Sequence, residues 1–162
     1  ISACEKGGQW ERALSLLDEM RGSGVTPNVI SFSAAISACE KGRQWERALS
    51  LLDEMRASGV TPDLISFNAA ISACEKDDQW QRALALLDEM RASGVTPNVM
   101  SFSAAISACE KGRQWQRALS LLDEMRASGV TPDLISFNAA ISACEKDDQW
   151  QRALALLDEM RA

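Results

Sequence analysis

The residues whose types could do chemistry recur at fixed spacing: Cys4, Cys39, Cys74, Cys109 and Cys144, each followed two positions later by a lysine. Thiolates bind metals and exchange disulfides, but zinc sites gather ligands through Cys-x-x-Cys or histidine spacings. This sequence holds neither a Cys-x-x-Cys pair nor any histidine. The missing histidine also removes the commonest general base and pH switch. Asp53 and Glu54, repeated in every unit, look like a paired-carboxylate site. Their neighbours are Leu52 and Met55 rather than a base or ligand, so they read as solvated outer-face charge. Catalysis, a metal and a cofactor are therefore not expected. What remains is a binding chemistry: small hydrogen-bonding residues and lysines in repeated order.

The elements that position them follow from the period. The word SACEK begins at Ser2, Ser37, Ser72, Ser107 and Ser142, so the chain of 162 residues repeats every 35. Residues 28–97 and 98–162 match almost throughout, which makes a 70-residue block the larger unit. A fixed period of this size marks a solenoid. Within Val29–Asp63, Phe32, Ala35, Ile36 and Cys39 form the apolar stripe of a first helix. Trp45, Ala48, Leu49, Leu52 and Met55 form that of a second. Lys41-Gly42-Arg43 breaks the two. In alternate units the break reads Lys76-Asp77-Asp78, where Asp78 suits a cap on the second helix. Gly59 fits the left-handed residue that ends a helix, and Pro62 blocks its continuation.

One hairpin cannot cover both stripes, whereas stacked hairpins can. The fold class is therefore all-α, an α-solenoid of antiparallel helix-turn-helix repeats. Residues 1–162 read as a single array: partial repeat 1–28, full repeats 29–63, 64–98 and 99–133, and partial repeat 134–162. The chain starts at Ile1 without a targeting segment, and neither end carries a polar cap. It is expected to be an excerpt of a longer array. No apolar run approaches membrane-spanning length. The cysteines fall on the first-helix stripe as small buried hydrophobes. The tryptophans (Trp10, Trp45, Trp80, Trp115, Trp150) open the second stripe and read as packing rather than base-stacking residues.

A tetratricopeptide unit places its Trp early in the first helix, followed by Leu-Gly and Tyr. Here Trp45 opens the second helix and tyrosine is absent. The unit VISFSAAISACEKGRQWERALSLLDEMRASGVTPD, Val29 to Asp63, instead resembles a P-type pentatricopeptide repeat (PPR). It follows that family's V-x-T/S-Y/F-N/S, I-S, A-L-x-L-x-x-E-M and G-x-x-P-D/N without a gap. The resemblance implies a right-handed superhelix that binds single-stranded RNA, one repeat to one base. It also implies an organellar protein, of mitochondrion or plastid, acting in RNA processing, stability or translation.

By that resemblance the fifth and last residues of a unit choose the base. Ser33 with Asp63, and Ser103 with Asp133, resemble guanine pairs. Asn68 with Asn98 resembles a pyrimidine pair, cytosine more than uracil. Asn138 and Asn28 are readers whose partners lie outside the sequence. The implied core is 5′-G-Y-G-Y. The family's second residue wedges between bases; here it is Ile30, Ile65, Met100 and Ile135. Lys6, Lys41, Lys76, Lys111 and Lys146 are the implied phosphate contacts. Independently, Ile30, Ser33, Ser37 and Lys41 share one face of the first helix by their spacing.

Two observations pull the other way. Ser, Asn and Asp at a helix start serve as caps. The formal charges by unit are −1, −1, −2, 0 and −2, which make up the total of −6, so no unit is basic. The acidic balance favours an alternative, a scaffold contacting neighbouring proteins of a large organellar assembly. Much of the acid falls on the second helices, so the lysine face is expected to be less negative than the total. The Ser/Asn alternation is equally that of a duplicated 70-residue block.

Overall fold

In the computed structural model, which describes residues 1–161, every unit is a helical hairpin. The first helices are α1 (Ser2–Lys6), α3 (Val29–Lys41), α5 (Leu64–Lys76), α7 (Val99–Lys111) and α9 (Leu134–Lys146). The second are α2 (Trp10–Gly22), α4 (Trp45–Ala57), α6 (Trp80–Ala92), α8 (Trp115–Ala127) and α10 (Trp150–Arg161). The last residue of the repeat 134–162 lies outside the described residues. The described residues form an all-α solenoid, and no helix among them is long and apolar enough to cross a membrane.

The layering sets the curvature. Each first helix packs on the first helix of the next unit, and each second helix packs on the first helices of its own and the following unit. Successive second helices make no close backbone approach and meet only through long side chains. The layer of first helices is thus the tighter, concave side. Phe32, Ala35, Ile36 and Cys39 are fully buried between the layers, as are their equivalents in α5 and α7. All five cysteines are buried free thiols. On α4 the buried stripe is Ala48, Leu51, Leu52 and Met55, with Leu49 only partly covered. Leu51 goes under because the second helix is covered from two sides, which widens its apolar face beyond the simple stripe.

Chain reversals follow local chemistry. Gly59 ends α4 at φ +78 with open space around it, as its position after the helix requires. The break between hairpin helices differs from expectation at Asp78. That residue takes φ +59 and caps nothing; Gln79 stands at the start of α6 without a side-chain cap bond. The tight turn needs a left-handed residue before Gln79, and Asp78 supplies it.

The 70-residue period has a physical content in two kinds of joint. From a Gly-Arg unit to an Asp-Asp unit, Arg43 Nε donates to Asp77 Oδ1 at 3.3 Å and its Nη2 to the Lys76 carbonyl at 2.5 Å. Arg113 repeats this on Asp147 and the Lys146 carbonyl. From an Asp-Asp unit to a Gly-Arg unit, Trp80 packs onto Gly112, where a Cβ would lie 2.3 Å from Trp80 Cδ1. Trp10 occupies the same place over Gly42, and its own unit carries Gly7-Gly8. The alternation of breaks is therefore a complementarity between neighbours as well as a trace of duplication.

Candidate functional site

The fifth residue of each unit projects from the concave layer onto the last residue of the same unit, 30 positions on, which is also the N-cap of the next first helix. Asp63, Asn98 and Asp133 cap α5, α7 and α9, each in a reciprocal box with a serine. Asn28 caps α3 through its Oδ1 and the Ser31 N–H at 3.0 Å. The capping role and the implied reading role fall on the same side chains.

The box fixes which atom of the cap turns outward. Asp63 Oδ1 accepts from the Ser66 N–H (2.9 Å), the Ser66 hydroxyl (2.7 Å) and the Ser33 hydroxyl (3.3 Å). Asp133 Oδ1 does the same with Ser136 N–H (2.8 Å) and the Ser103 hydroxyl (3.1 Å). Burial acts to raise the Asp133 pKa, but the hydrogen bonds from Ser136 and Ser103 outweigh it and hold the carboxyl below its usual value. Asn98 Oδ1 accepts from the Ser101 N–H at 3.1 Å and from Asn68 Nδ2 at 3.2 Å. Asn68 Oδ1 in turn accepts from the Ser101 hydroxyl at 2.6 Å. The residue pairs singled out from the sequence therefore meet in space.

Each slot has apolar walls. Ile30, Ile65, Met100 and Ile135 are 67%, 60%, 63% and 60% exposed, a row of large hydrophobic side chains left to solvent where burial would be expected of them. Between Ile65 and Met100 lies a groove of about 380 Å³ that Asn68, Asn98, Ser37, Ser72, Glu40 and Lys41 also line. A second groove, of about 290 Å³, lies between Met100 and Ile135 with Ser103, Asp133 and Ser107. A third holds Ile135 and Asn138. Ser72 and Ser107 were not singled out from the sequence; their place four residues beyond the reader, on the same helix face, was the available signal. None of these grooves contains a tryptophan or a cysteine.

The lysine row is occupied differently from the sequence reading. Lys76 pairs with Glu40, Lys111 with Glu75 (2.8 Å), Lys146 with Glu110 (2.5 Å) and Lys41 with Glu5 (3.5 Å). Each acid belongs to the preceding unit, and Glu40, Glu75 and Glu110 are mostly buried. Lys6 and Glu145, at the two ends of the row, make no ion pair among the described residues. The concave face thus carries its own acid beside the lysines, although the second helices hold 12 of the 23 acidic residues. The second-helix acids are likewise engaged. Arg56 lies over the Phe67 ring at 5.7 Å and pairs with Glu89 (2.5 Å) and Asp53 (3.0 Å). Arg21 and Arg91 repeat the pattern on Glu54 and Glu124, so these carboxylates tie units together rather than only facing solvent.

A family profile described as the pentatricopeptide repeat domain matches residues 1–42, 15–77, 50–112 and 85–147, and one described as the PPR repeat matches 135–162. No curated protein sequence matches the chain. Among solved structures, the PPR domain of Arabidopsis thaliana protein-only RNase P 1 in complex with tRNA matches at a TM-score of 0.85 and 20% identity, over 98% of this chain and 84% of that one. That likeness is one of fold alone. PPR10 from maize matches at a TM-score of 0.74 and 27% identity, over 98% of this chain. PPR10 in complex with an 18-nt psaJ RNA element matches at 0.75 and 29%, over 99%. The chain spans 23% and 27% of those two PPR10 chains. Matched by the family profile in every unit and built as its solenoid, the chain belongs to the pentatricopeptide repeat family.

Proposed function

We propose that the concave face binds single-stranded RNA, one unit to one base, with the base chosen by the hydrogen-bonding atoms that the caps leave free. The observation that carries this is the paired contact of reader residues between exposed apolar walls, seen at Ser33–Asp63, Asn68–Asn98 and Ser103–Asp133. In the Asn slot both oxygens already accept local bonds, which leaves one Asn68 N–H and the Asn98 amide group as unpaired donors for the groove. Two neighbouring donors suit the N3 and O2 acceptors of cytosine. In the Ser slots the Ser103 hydroxyl proton goes to Asp133 Oδ1, and that of Ser33 has two acceptors, the Val29 carbonyl at 2.7 Å and Asp63 Oδ1 at 3.3 Å; Oδ2 and the hydroxyl lone pairs are left as acceptors. Acceptors suit the N1–H and amino group of guanine. The implied strand is 5′-G-C-G-Y, a narrowing of the G-Y-G-Y core.

In this reading the four wall residues stand between successive bases, and Lys41, Lys76, Lys111 and Lys146 turn from their glutamates to phosphates. The 18-nt RNA held by a similar structure supports the ligand class. Family membership supports an organellar setting, with the array protecting or delivering an RNA segment. The acid on the concave face favours a second reading, a scaffold for neighbouring proteins. Equilibrium binding separates the two: strands carrying GCGU, a scrambled order and the DNA equivalent, each at two salt concentrations. Base reading requires GCGU RNA to bind tighter than both others. Equal affinity for all three refutes it.

A further inference from the structure

The serine at the third position of a first helix serves the preceding unit differently in the two slot types. Ser66 and Ser136 direct their hydroxyls to their own caps, Asp63 Oδ1 at 2.7 Å and Asp133 Oδ1 at 2.9 Å, and make no hydrogen bond to Ser33 or Ser103. Ser101 is fully buried, and its shortest contact is with Asn68 Oδ1 of the unit before it, at 2.6 Å, against 3.1 Å to its own cap Asn98. Its oxygen already accepts from the Asn98 N–H at 3.1 Å, so its proton is the part it has to give. Asn138 offers an internal comparison. It is the same residue type at the same register but has no following unit among the described residues; it is exposed and makes no side-chain hydrogen bond there. Asn68, by contrast, is buried.

We propose that Ser101 is a positioning residue for base choice: a hydroxyl lent by the next unit fixes which edge of the Asn68 amide faces the strand, and thereby sets cytosine over uracil. This rests on the base-reading proposal above. An asparagine amide carries a donor and an acceptor of nearly the same shape, so an unheld amide suits either pyrimidine. With Oδ1 turned to the Ser101 hydroxyl and one Nδ2 hydrogen on Asn98, the amide is oriented to present its second N–H to the groove. Cytosine meets it with an acceptor, whereas uracil places its own N3–H between two carbonyls. Removing the Ser101 hydroxyl leaves the amide held at one end, free to rock and to accept uracil. Base choice in one unit is then partly written in the next, at a position that is wholly out of reach of the strand.

The test uses the 162-residue chain with Ser101→Ala, Ser101→Thr and, as a control for the lost capping bond, Ser136→Ala. Each binds four strands that differ only at the base opposite residues 64–98. The cytosine-to-uracil affinity ratio is expected to fall roughly fivefold in Ser101→Ala, the worth of about one hydrogen bond. It is expected to hold in Ser101→Thr and Ser136→Ala. Without RNA, the nitrogen-15 signals of the Asn68 side-chain amide should lose order in Ser101→Ala alone. A Ser101→Ala protein with the wild-type ratio, or with an Asn68 amide as ordered as before, overturns the proposal. Wild-type protein that binds all four strands alike overturns base reading itself, and the amide signals still report whether Ser101 holds Asn68.

Discussion

Removing the acids of the concave ladder is the perturbation that most sharply separates lysines that meet phosphate from lysines that merely join units. The change is Glu40→Gln, Glu75→Gln and Glu110→Gln in one chain, which frees Lys76, Lys111 and Lys146. A phosphate on one of these ammonium groups would sit about 5–6 Å from the carboxylate on its other side, two charge-assisted bonds away. Repulsion between unit charges at that distance is about 0.8 kcal/mol in water. Salt near 0.15 M reduces it by about half. Three such relieved repulsions amount to about 1.2 kcal/mol, roughly an eightfold gain in affinity for single-stranded RNA. Each lysine also becomes a net cation, which adds about 0.7 to the slope of log affinity against log salt, or about 2 for all three. The cost to folding is small, because the lysine ends are half-exposed and such pairs are worth about 0–1 kcal/mol each. Fluorescence anisotropy across a salt series reads both quantities. Unchanged affinity and slope in a variant that stays folded would refute the placement of phosphates along this row.

Three further outcomes follow from the packing. Gly112→Ala sets a Cβ 2.3 Å from Trp80 Cδ1 at an ordinary helical φ of −77, so it should cost about 1–3 kcal/mol through overpacking. Trp80→Leu should relieve that strain, and a urea denaturation cycle showing no coupling would contradict the joint. The Cys39, Cys74 and Cys109 thiols are pushed up by burial from 9.0 to about 11, 12 and 11. They should resist alkylation at pH 8 until the chain unfolds. Because unfolded thiols ionise first, stability should hold below pH 9 and decline as pH rises from there towards 11–12. Rapid labelling of folded protein would contradict this. Rearranging the units so that two Gly-Arg breaks and two Asp-Asp breaks stand adjacent keeps composition constant, but loses an Arg–Asp pair and the Trp–Gly fit. The denaturation midpoint should fall by an amount equivalent to roughly 1–2 kcal/mol, and an unchanged midpoint would contradict the complementarity of the breaks.

The fold was legible because the period, the glycine at φ +78 and the apolar stripes are each decided locally or by stacking identical hairpins. The site was half legible. Ser33, Asn68 and Ser103 sit where helix spacing puts them. Their hydrogen bonds were not readable, since whether Ser101 gives its proton to Asn98 or to Asn68 is a choice between rotamers across a joint. The glutamate ladder left a signal that a single unit hides. Adjacent Glu and Lys on one helix do not face each other, yet with a period of 35 the Glu of one unit faces the Lys 36 positions on. Asp78 misled because a carboxylate before a helix reads as a cap. Only the left-handed turn shows that Gln79 holds that place.

The central claim is that free donors or acceptors on the cap and its partner choose the base. Asn68→Ser together with Asn98→Asp makes the middle slot a copy of the Ser103–Asp133 slot while keeping an N-cap residue on α7. The measurement is affinity for strands with cytosine or guanine opposite residues 64–98. Base reading predicts that the wild-type chain prefers cytosine there and the double variant guanine, with the flanking preferences unchanged. A double variant that folds, binds RNA and still prefers cytosine would contradict it.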